Sequence, residues 1–150
     1  MKKVLLAAAF LSVLSLFAYS QSAEKLTEII AAPNATYGQV AYIAGVYQGI
    51  VHEDVSYEHA FETLQKDGVI KSTAKANEQI SLKETAFICA KATNLKGGLF
   101  YSIFRNPRYA YKELKAKNVL PPTADPDMTV SGRDVIAVLN NCIGLTGGNK

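Results

Sequence analysis

The sequence lacks the short motifs by which most enzyme active sites are recognised. It contains no Gly-x-Ser-x-Gly nucleophile elbow, no phosphate-binding glycine loop and no His-Glu-x-x-His zinc motif. Its two histidines, His52 and His59, stand beside acidic residues, but their spacing does not match a zincin helix, and a solvated charged surface explains them better. We therefore expect neither catalysis nor a bound metal or other cofactor.

The sequence also lacks an apolar run long enough to span a membrane. Lys2 and Lys3 precede an apolar run over residues 4–18, and Ala18-Tyr19-Ser20 matches a signal-peptidase site. The run is shorter than the roughly 20 residues of a membrane span, and no cysteine follows the cleavage site to carry a lipid anchor. We predict a signal peptide over 1–20, export to the periplasm or cell surface, and no membrane span in the mature chain.

Neither sign of charge is in large excess. The chain has 16 Lys and Arg against 13 Asp and Glu, and without Lys2 and Lys3 the count becomes 14 against 13, a net charge of +1. So small an excess predicts no nucleic-acid partner. The distribution is uneven, however, because residues 91–117 hold seven cations and one acid, Glu113. This segment is a candidate anion-binding surface.

What the sequence does contain is an internal repeat. Shifted by fifty positions, residues 60–90 fall on residues 110–140 with similar chemistry, as in Ala60 with Ala110, Phe61 with Tyr111, Leu64 with Leu114, Ile80 with Val130 and Ser81 with Ser131. A fixed period of this size is typical of stacked helical units. Residues 36–44 match 81–89 at a shift of 45, which indicates an earlier, degenerate repeat.

The repeats predict one all-α domain of two to three tandem helix pairs. The predicted repeats cover residues 21–50, 51–100 and 101–145, followed by a flexible tail at 146–150. They contain up to six helices, of which the first covers residues 23–32. Residues 71–79 and 121–129 are polar or rich in proline and are predicted to be loops. Residues 99–104 are either a buried connector or an additional helical turn.

The predicted helix ends recur with the same period. Ser56 and Asn106 are N-caps, and Gly68 and Asn118, which both tolerate left-handed backbone, end the same helices. Helix-starting capping boxes are predicted at three places, namely Thr36 with Gln39, Ser81 with Glu84, and Ser131 with Asp134.

Each repeat resembles an S-layer homology module. The family's first-helix pattern fits residues 60–69 throughout, and Ile80-Ser81-Leu82-Lys83-Glu84 follows the I-T-R-A-E pattern of its second helix. The resemblance implies docking onto an anionic cell-wall polymer through grooves between repeats. The family's arginine is replaced by Leu82 and Gly132, and a cation follows one position later, as Lys83 and Arg133.

Residues 95–114 are also similar to a segment of spirochaete envelope proteins, in which such helical modules precede a peptidoglycan-binding domain. This second resemblance implies a periplasmic, wall-associated module.

The candidate ligand site is a mixture of aromatic and basic residues, namely Phe100, Tyr101, Phe104, Arg105, Arg108, Tyr109 and Lys112. Tyrosine and phenylalanine rings stack on sugar faces, and arginine and lysine pair with carboxylate or phosphate, which suits a charged glycan. The predicted ligand-binding residues are Lys83, Lys91, Tyr101, Arg105, Arg108, Tyr109 and Arg133. Two alternatives stay open: the aromatics fill the core between repeats, or the protein is a periplasmic adaptor that binds an envelope protein, with residues 99–104 as an apolar anchor.

The two cysteines, Cys89 and Cys142, both fall late in predicted second helices. An exported protein can carry a disulfide between them. Alternatively, each is a small buried side chain, a common position for cysteine. The sequence leaves both open.

Overall fold

The computed structural model describes residues 22–147, and its regular secondary structure there is helical, with only isolated β-bridges besides. The predicted all-α class is confirmed. In that range there are seven helices: α1 (22–31), α2 (Tyr37–Gln48), α3 (Tyr57–Lys66), α4 (Leu82–Ala92), α5 (Leu99–Ile103), α6 (Pro107–Ala116) and α7 (Gly132–Gly147). The predicted signal peptide and residues 148–150 lie outside the described residues.

The predicted ends of α3 and α6 are confirmed. The Ser56 side chain accepts a hydrogen bond from the His59 amide at 3.2 Å, and the Asn106 side chain accepts one from the Tyr109 amide at 3.1 Å. Beyond each helix the chain turns through left-handed backbone, with φ of +67° at Gly68 and +57° at Asn118. Local sequence therefore determines both helices.

Two of the three predicted capping boxes form. Thr36 with Gln39 and Ser131 with Asp134 each exchange the expected bonds. The box at Ser81 is wrong, because the Ser81 hydroxyl is buried without a hydrogen-bond partner and Glu84 lies 3.4 Å from the Lys71 ammonium instead. The carboxylate that the box needs is paired with a cation thirteen residues away.

Three helices, α2, α4 and α7, pack together at the centre, and the others pack around them. Helix α3 lies on α2, α6 lies on α4, and α1 meets the start of α7. The outer helices α3 and α6 each bury the predicted apolar stripe, which is Ala60, Phe61 and Leu64 in one and Ala110, Tyr111 and Leu114 in the other.

The first amides of the central helices have no partner inside their own helix, and they bond to other segments. Tyr37 donates to the Glu78 carbonyl at 3.0 Å, Leu82 to Met128 at 2.9 Å, and Gly132 to Ala32 at 3.0 Å. The last bond brings the start of the described chain against its final helix. Corresponding bonds thus occur at three places, while the interpretation of these segments as repeats stays a prediction.

The end of α7 differs from expectation, and the segment 99–104 follows one of its two predicted alternatives. Helix α7 continues to Gly147, and the Thr146 hydroxyl donates to the Ile143 carbonyl at 3.0 Å, so residues 146 and 147 are helical rather than part of a tail. The segment 99–104 contains α5, the additional helical turn, and most of its apolar side chains are exposed.

Candidate binding surface

The structure divides the predicted ligand-binding residues between two ends of α4. Lys83 lies in the first turn of α4 and pairs with Asp127, and Arg133 is exposed in the neighbouring first turn of α7. Lys91 lies eight residues further along α4, which is about 12 Å at 1.5 Å per residue. Lys83 and Arg133 are therefore not part of the group of residues around α5.

The positions at which the S-layer resemblance places an arginine are both inside the packing. Leu82 is 5% exposed. A Cβ atom at Gly132 would lie 1.7 Å from the carbonyl oxygen of Ile29 in α1, so no side chain fits there without moving backbone. Neither position therefore offers a surface side chain to a ligand.

Two adjoining hollows flank α5. The α4–α5 hollow, of about 230 Å³, is lined by Ala90, Lys91, Asn94, Leu95, Tyr101 and Arg105. The α5–α6 hollow, of about 260 Å³, is lined by Phe100, Tyr101, Tyr109, Lys112 and Glu113. Because Tyr101 lines both, the two hollows are neighbours.

A third hollow extends this row. The α4–α7 hollow, of about 320 Å³, shares Asn94 and Leu95 with the α4–α5 hollow. Its other lining residues are Thr93, Lys96, Lys117, Leu145 and Thr146. We call the three hollows together the cationic surface, after the basic side chains that line them, Lys91, Lys96, Arg105, Lys112 and Lys117.

The cationic surface keeps most of its positive charge. Its one acid, Glu113, pairs with Lys117 at 3.4 Å. Two cations lie over aromatic rings instead, with the Lys91 ammonium 5.5 Å from the Phe87 centroid and the Lys112 ammonium 5.7 Å from that of Tyr109. Within residues 22–147, neither of these lysines nor Arg105 takes part in an ion pair. Rings hold a cation in place without neutralising it.

Tyr101 does not offer the ring face that was predicted. Its side chain is 4% exposed and packs on Gly97, where a Cβ atom would lie 2.5 Å from the ring. Burial raises the pKa of its phenol above the ordinary value. Tyr101 is the one inward-facing residue of α5, and it anchors this short helix rather than stacking on a ligand.

The exposed rings belong to Phe100 and Phe104, which are both part of the predicted aromatic and basic mixture. They stack on Tyr109, with ring centroids 6.1 Å and 5.3 Å from it. Their spacing of four residues places both on one side of a helical turn. Arg108 is exposed in the first turn of α6, next to Tyr109.

The lining role of Asn94, Lys96 and Lys117 was not predicted from the sequence, whereas Lys112 belongs to the predicted mixture and lines the α5–α6 hollow. Lys96 and Lys117 were visible only as part of a local excess of charge. Asn94 has a φ of +51°, close to that of Asn118, and it turns the chain away from the end of α4 into the hollows. An asparagine soon after a helical stripe is the signal for this turn.

Cys89 and Cys142 are both buried free thiols, and the disulfide is not formed in the structure. Burial raises the pKa of Cys142 to about 12 and that of Cys89 well above its ordinary value, with Cys142 as a second cause at Cys89. Thiols in this state are poor nucleophiles. They belong to the core beneath the cationic surface.

The segment around His52 is held through its backbone. The Tyr42 hydroxyl donates to the Glu53 carbonyl at 2.7 Å, and the Lys25 ammonium donates to the Val55 carbonyl at 2.6 Å. Across residues 22–147, no group of three or more His, Cys, Asp or Glu side chains could hold a metal ion. In the same range, no helix combines the length and apolar character needed to cross a bilayer.

Comparison with known proteins adds no relative. No protein-family model, curated protein or solved structure matches this chain. The resemblance to S-layer homology modules depends on the sequence patterns alone. The cationic surface is the structural feature that points to a ligand.

Proposed function

We propose that this protein is a noncatalytic, exported cell-envelope binding module whose cationic surface docks onto an anionic wall glycan or peptidoglycan-associated polymer. The observation that carries this proposal is the row of adjoining hollows lined by cations, with one acid that is already paired. A wall polymer of this kind repeats its negative charges along an extended chain. A row of cationic hollows provides a matching series of contacts.

The side chains of the α4–α5 hollow suit carboxylate or phosphate. Arg105 and Lys91 both line it. A guanidinium group donates two parallel hydrogen bonds to one carboxylate or phosphate, and an ammonium group adds a mobile point charge. The Asn94 side chain, on the same wall, has donors and acceptors for a sugar hydroxyl.

The size of the hollows favours a repeating ligand over a single compact one. Small-molecule pockets enclose about 300–1,000 Å³ and bury most of their ligand. The α4–α5 and α5–α6 hollows are smaller, at about 230 and 260 Å³, and the α4–α7 hollow, at about 320 Å³, is near the lower bound. Each therefore holds a small part of a ligand, and useful affinity requires several hollows occupied along one chain.

The proposal is tested by sedimentation of residues 21–150 with cell-wall sacculi that carry their native polymers. We expect sedimentation at low salt and release at high salt, because dissolved ions screen contacts between exposed charges. The double variant Lys91→Ala/Arg105→Ala should lower the bound fraction by about tenfold or more, since it removes two charge-assisted contacts.

A matched control removes the same charge from the other end of α4. Lys83→Ala/Arg133→Ala should sediment like the unchanged protein, because these residues lie away from the cationic surface. Circular dichroism checks that both variants fold. Absence of sedimentation at either salt, or equal losses in both variants, would contradict the proposed site.

A further inference from the structure

Helix α5 presents a contiguous apolar face to solvent. Leu99, Phe100, Ile103 and Phe104 are 71%, 64%, 61% and 49% exposed. Other large apolar side chains of the described residues, such as Leu26 and Met128, are no more than 46% exposed and occur singly or in pairs. Single exposed apolar residues are ordinary on a protein surface, whereas a contiguous group marks an interaction site.

This face is held outward by the fold. The buried ring of Tyr101 fixes the inner side of α5 against Gly97. The Ser102 amide donates to the Gly98 carbonyl at 3.0 Å, and the Ser102 hydroxyl donates to the Gly97 carbonyl at 3.1 Å. Stacking of Phe100 and Phe104 on Tyr109 adds a lateral support. The apolar side chains are thus displayed before any partner arrives.

Basic residues flank the same face along the chain, and the one acid beside it, Glu113 next to Gly98, pairs with Lys117. Lys96 precedes α5, Arg105 and Arg108 follow it, and Lys112 lies over the Tyr109 ring that supports it. An apolar tip within a basic border matches the surface of an anionic bilayer, where apolar side chains enter the acyl boundary and cations meet lipid phosphates.

A second copy of the chain fits this face poorly. The four exposed side chains present on the order of 400 Å², about half of the roughly 800 Å² that each partner buries in a stable protein interface. A two-fold pairing would also bring the basic border of one copy against that of the other. Charge complementarity favours an anionic surface.

We propose that α5 docks this protein on the surface of an anionic lipid bilayer. Leu99, Phe100, Ile103 and Phe104 enter the outer acyl region, and the neighbouring cations pair with lipid phosphates. This peripheral contact goes beyond polymer binding, because it uses apolar side chains that a polar glycan does not need. The protein would then engage the wall and the membrane through adjoining surfaces.

The absence of tryptophan from the chain permits a direct test. Phe100→Trp introduces a single indole at the proposed contact. On adding vesicles of phosphatidylglycerol and phosphatidylcholine to residues 21–150 of this variant, we expect a blue shift of the emission. Vesicles of phosphatidylcholine alone should bind at least tenfold more weakly. The double variant Leu99→Ser/Ile103→Ser, made in the protein that keeps Phe100, should lower co-sedimentation with the anionic vesicles by tenfold or more.

The matched control is Leu26→Ser/Met128→Ser, at side chains that are 45% and 46% exposed in α1 and in the loop before α7. It should bind the anionic vesicles normally. Equal binding to both vesicle types, no blue shift, or unchanged binding of Leu99→Ser/Ile103→Ser would overturn the proposal. So would protection of the indole by an envelope protein but not by vesicles, which would identify a protein partner instead.

The two proposals fail separately. Sacculi contain no bilayer, so Leu99→Ser/Ile103→Ser should still sediment with them. Loss of vesicle binding in that variant, with sacculus binding intact, supports a role for the apolar side chains in bilayer contact alone.

Discussion

Two grooves of this molecule are flanked by corresponding backbone hydrogen bonds and differ in the side chains that line them. In the first groove, beside α4, the Lys71 ammonium lies 3.4 Å from Glu84 and 5.8 Å from the Tyr37 ring centroid. In the second groove, beside α7, Pro121 and Leu82 stand in place of Lys71 and Tyr37, and a cavity of about 290 Å³ is open.

The helices beside the two grooves also differ in the size of the side chain at corresponding positions. Phe87 is 6% exposed in α4, whereas its counterpart Ala137 is exposed in α7 and lines the second groove. Corresponding backbone hydrogen bonds support both places, as in Tyr37 to Glu78 and Leu82 to Met128. Helix caps and buried apolar stripes therefore determine where the helices lie, while a few large side chains decide whether a groove is filled.

The largest effect is expected when the first groove is emptied. Phe87→Ala gives α4 the residue that α7 has, and should lower the free energy of unfolding by about 3–5 kcal/mol, because a buried ring is lost and a cavity is left. Urea denaturation measures this change. The control Phe100→Ala, at a side chain 64% exposed, should change stability by less than about 1 kcal/mol. Similar losses in both variants would contradict the comparison.

The next effect concerns Gly132, which corresponds to Tyr37 and Leu82. Gly132→Leu should lower the free energy of unfolding by about 2–3 kcal/mol or more, because the new Cβ would meet the Ile29 carbonyl and α1 must move. Thermal unfolding detects the loss. Gly144→Ala in the same helix, where a Cβ meets nothing within 4 Å, should instead be stabilising by up to about 1 kcal/mol. A neutral Gly132→Leu would show that α1 is not packed against α7.

A smaller gain is expected when the second groove is filled. Ala137→Phe should raise the free energy of unfolding by about 1 kcal/mol, because the ring buries apolar area against the open cavity. The shift of the urea midpoint measures it. Asn140→Phe, three residues further along α7 and outside the cavity lining, should give no gain. A loss of stability in Ala137→Phe would mean that the groove cannot accept a ring.

The smallest expected effect is a pH dependence of stability that arises in the first groove and not in the second. Burial, and then the charge of Glu84, raises the pKa of Tyr37, whereas Leu82 in the second groove does not titrate. The neutral phenol therefore contributes stability that is present below its ordinary pKa of about 10 and is lost as the pH rises above it. Tyr37→Phe should gain stability relative to the unchanged protein between about pH 9 and pH 11. Urea midpoints at both pH values test this, with Tyr47→Phe as the exposed control.

Features that depend on neighbouring residues were predictable. The caps at Ser56 and Asn106 and the left-handed ends at Gly68 and Asn118 follow from a side chain meeting backbone within the same turn. The capping box at Ser81 was not predictable in the same way, because Lys71 in the preceding loop competes for Glu84. A local rule fails where a more distant charge reaches the same group.

The candidate site was predictable only in part. The excess of cations in residues 91–117 was visible in the sequence, and Lys91 and Arg105 do line one hollow. The assignment of Tyr101 failed because α5 is a single short turn, too short for its spacing to show which side is buried. Lys83 and Arg133 were grouped with the others because sequence position does not reveal which end of the bundle a residue occupies.

The sequence alone was enough for the helical class, both ends of α3 and α6, and the starts of α2 and α7, since periodic apolar residues and capping side chains act over three or four positions. Only the tertiary structure decided which rings are exposed, which cations stay unpaired and why Gly132 must be glycine. Each of those outcomes depends on segments far apart in the chain, such as α1 against α7, and their contacts exist only after the helices have packed.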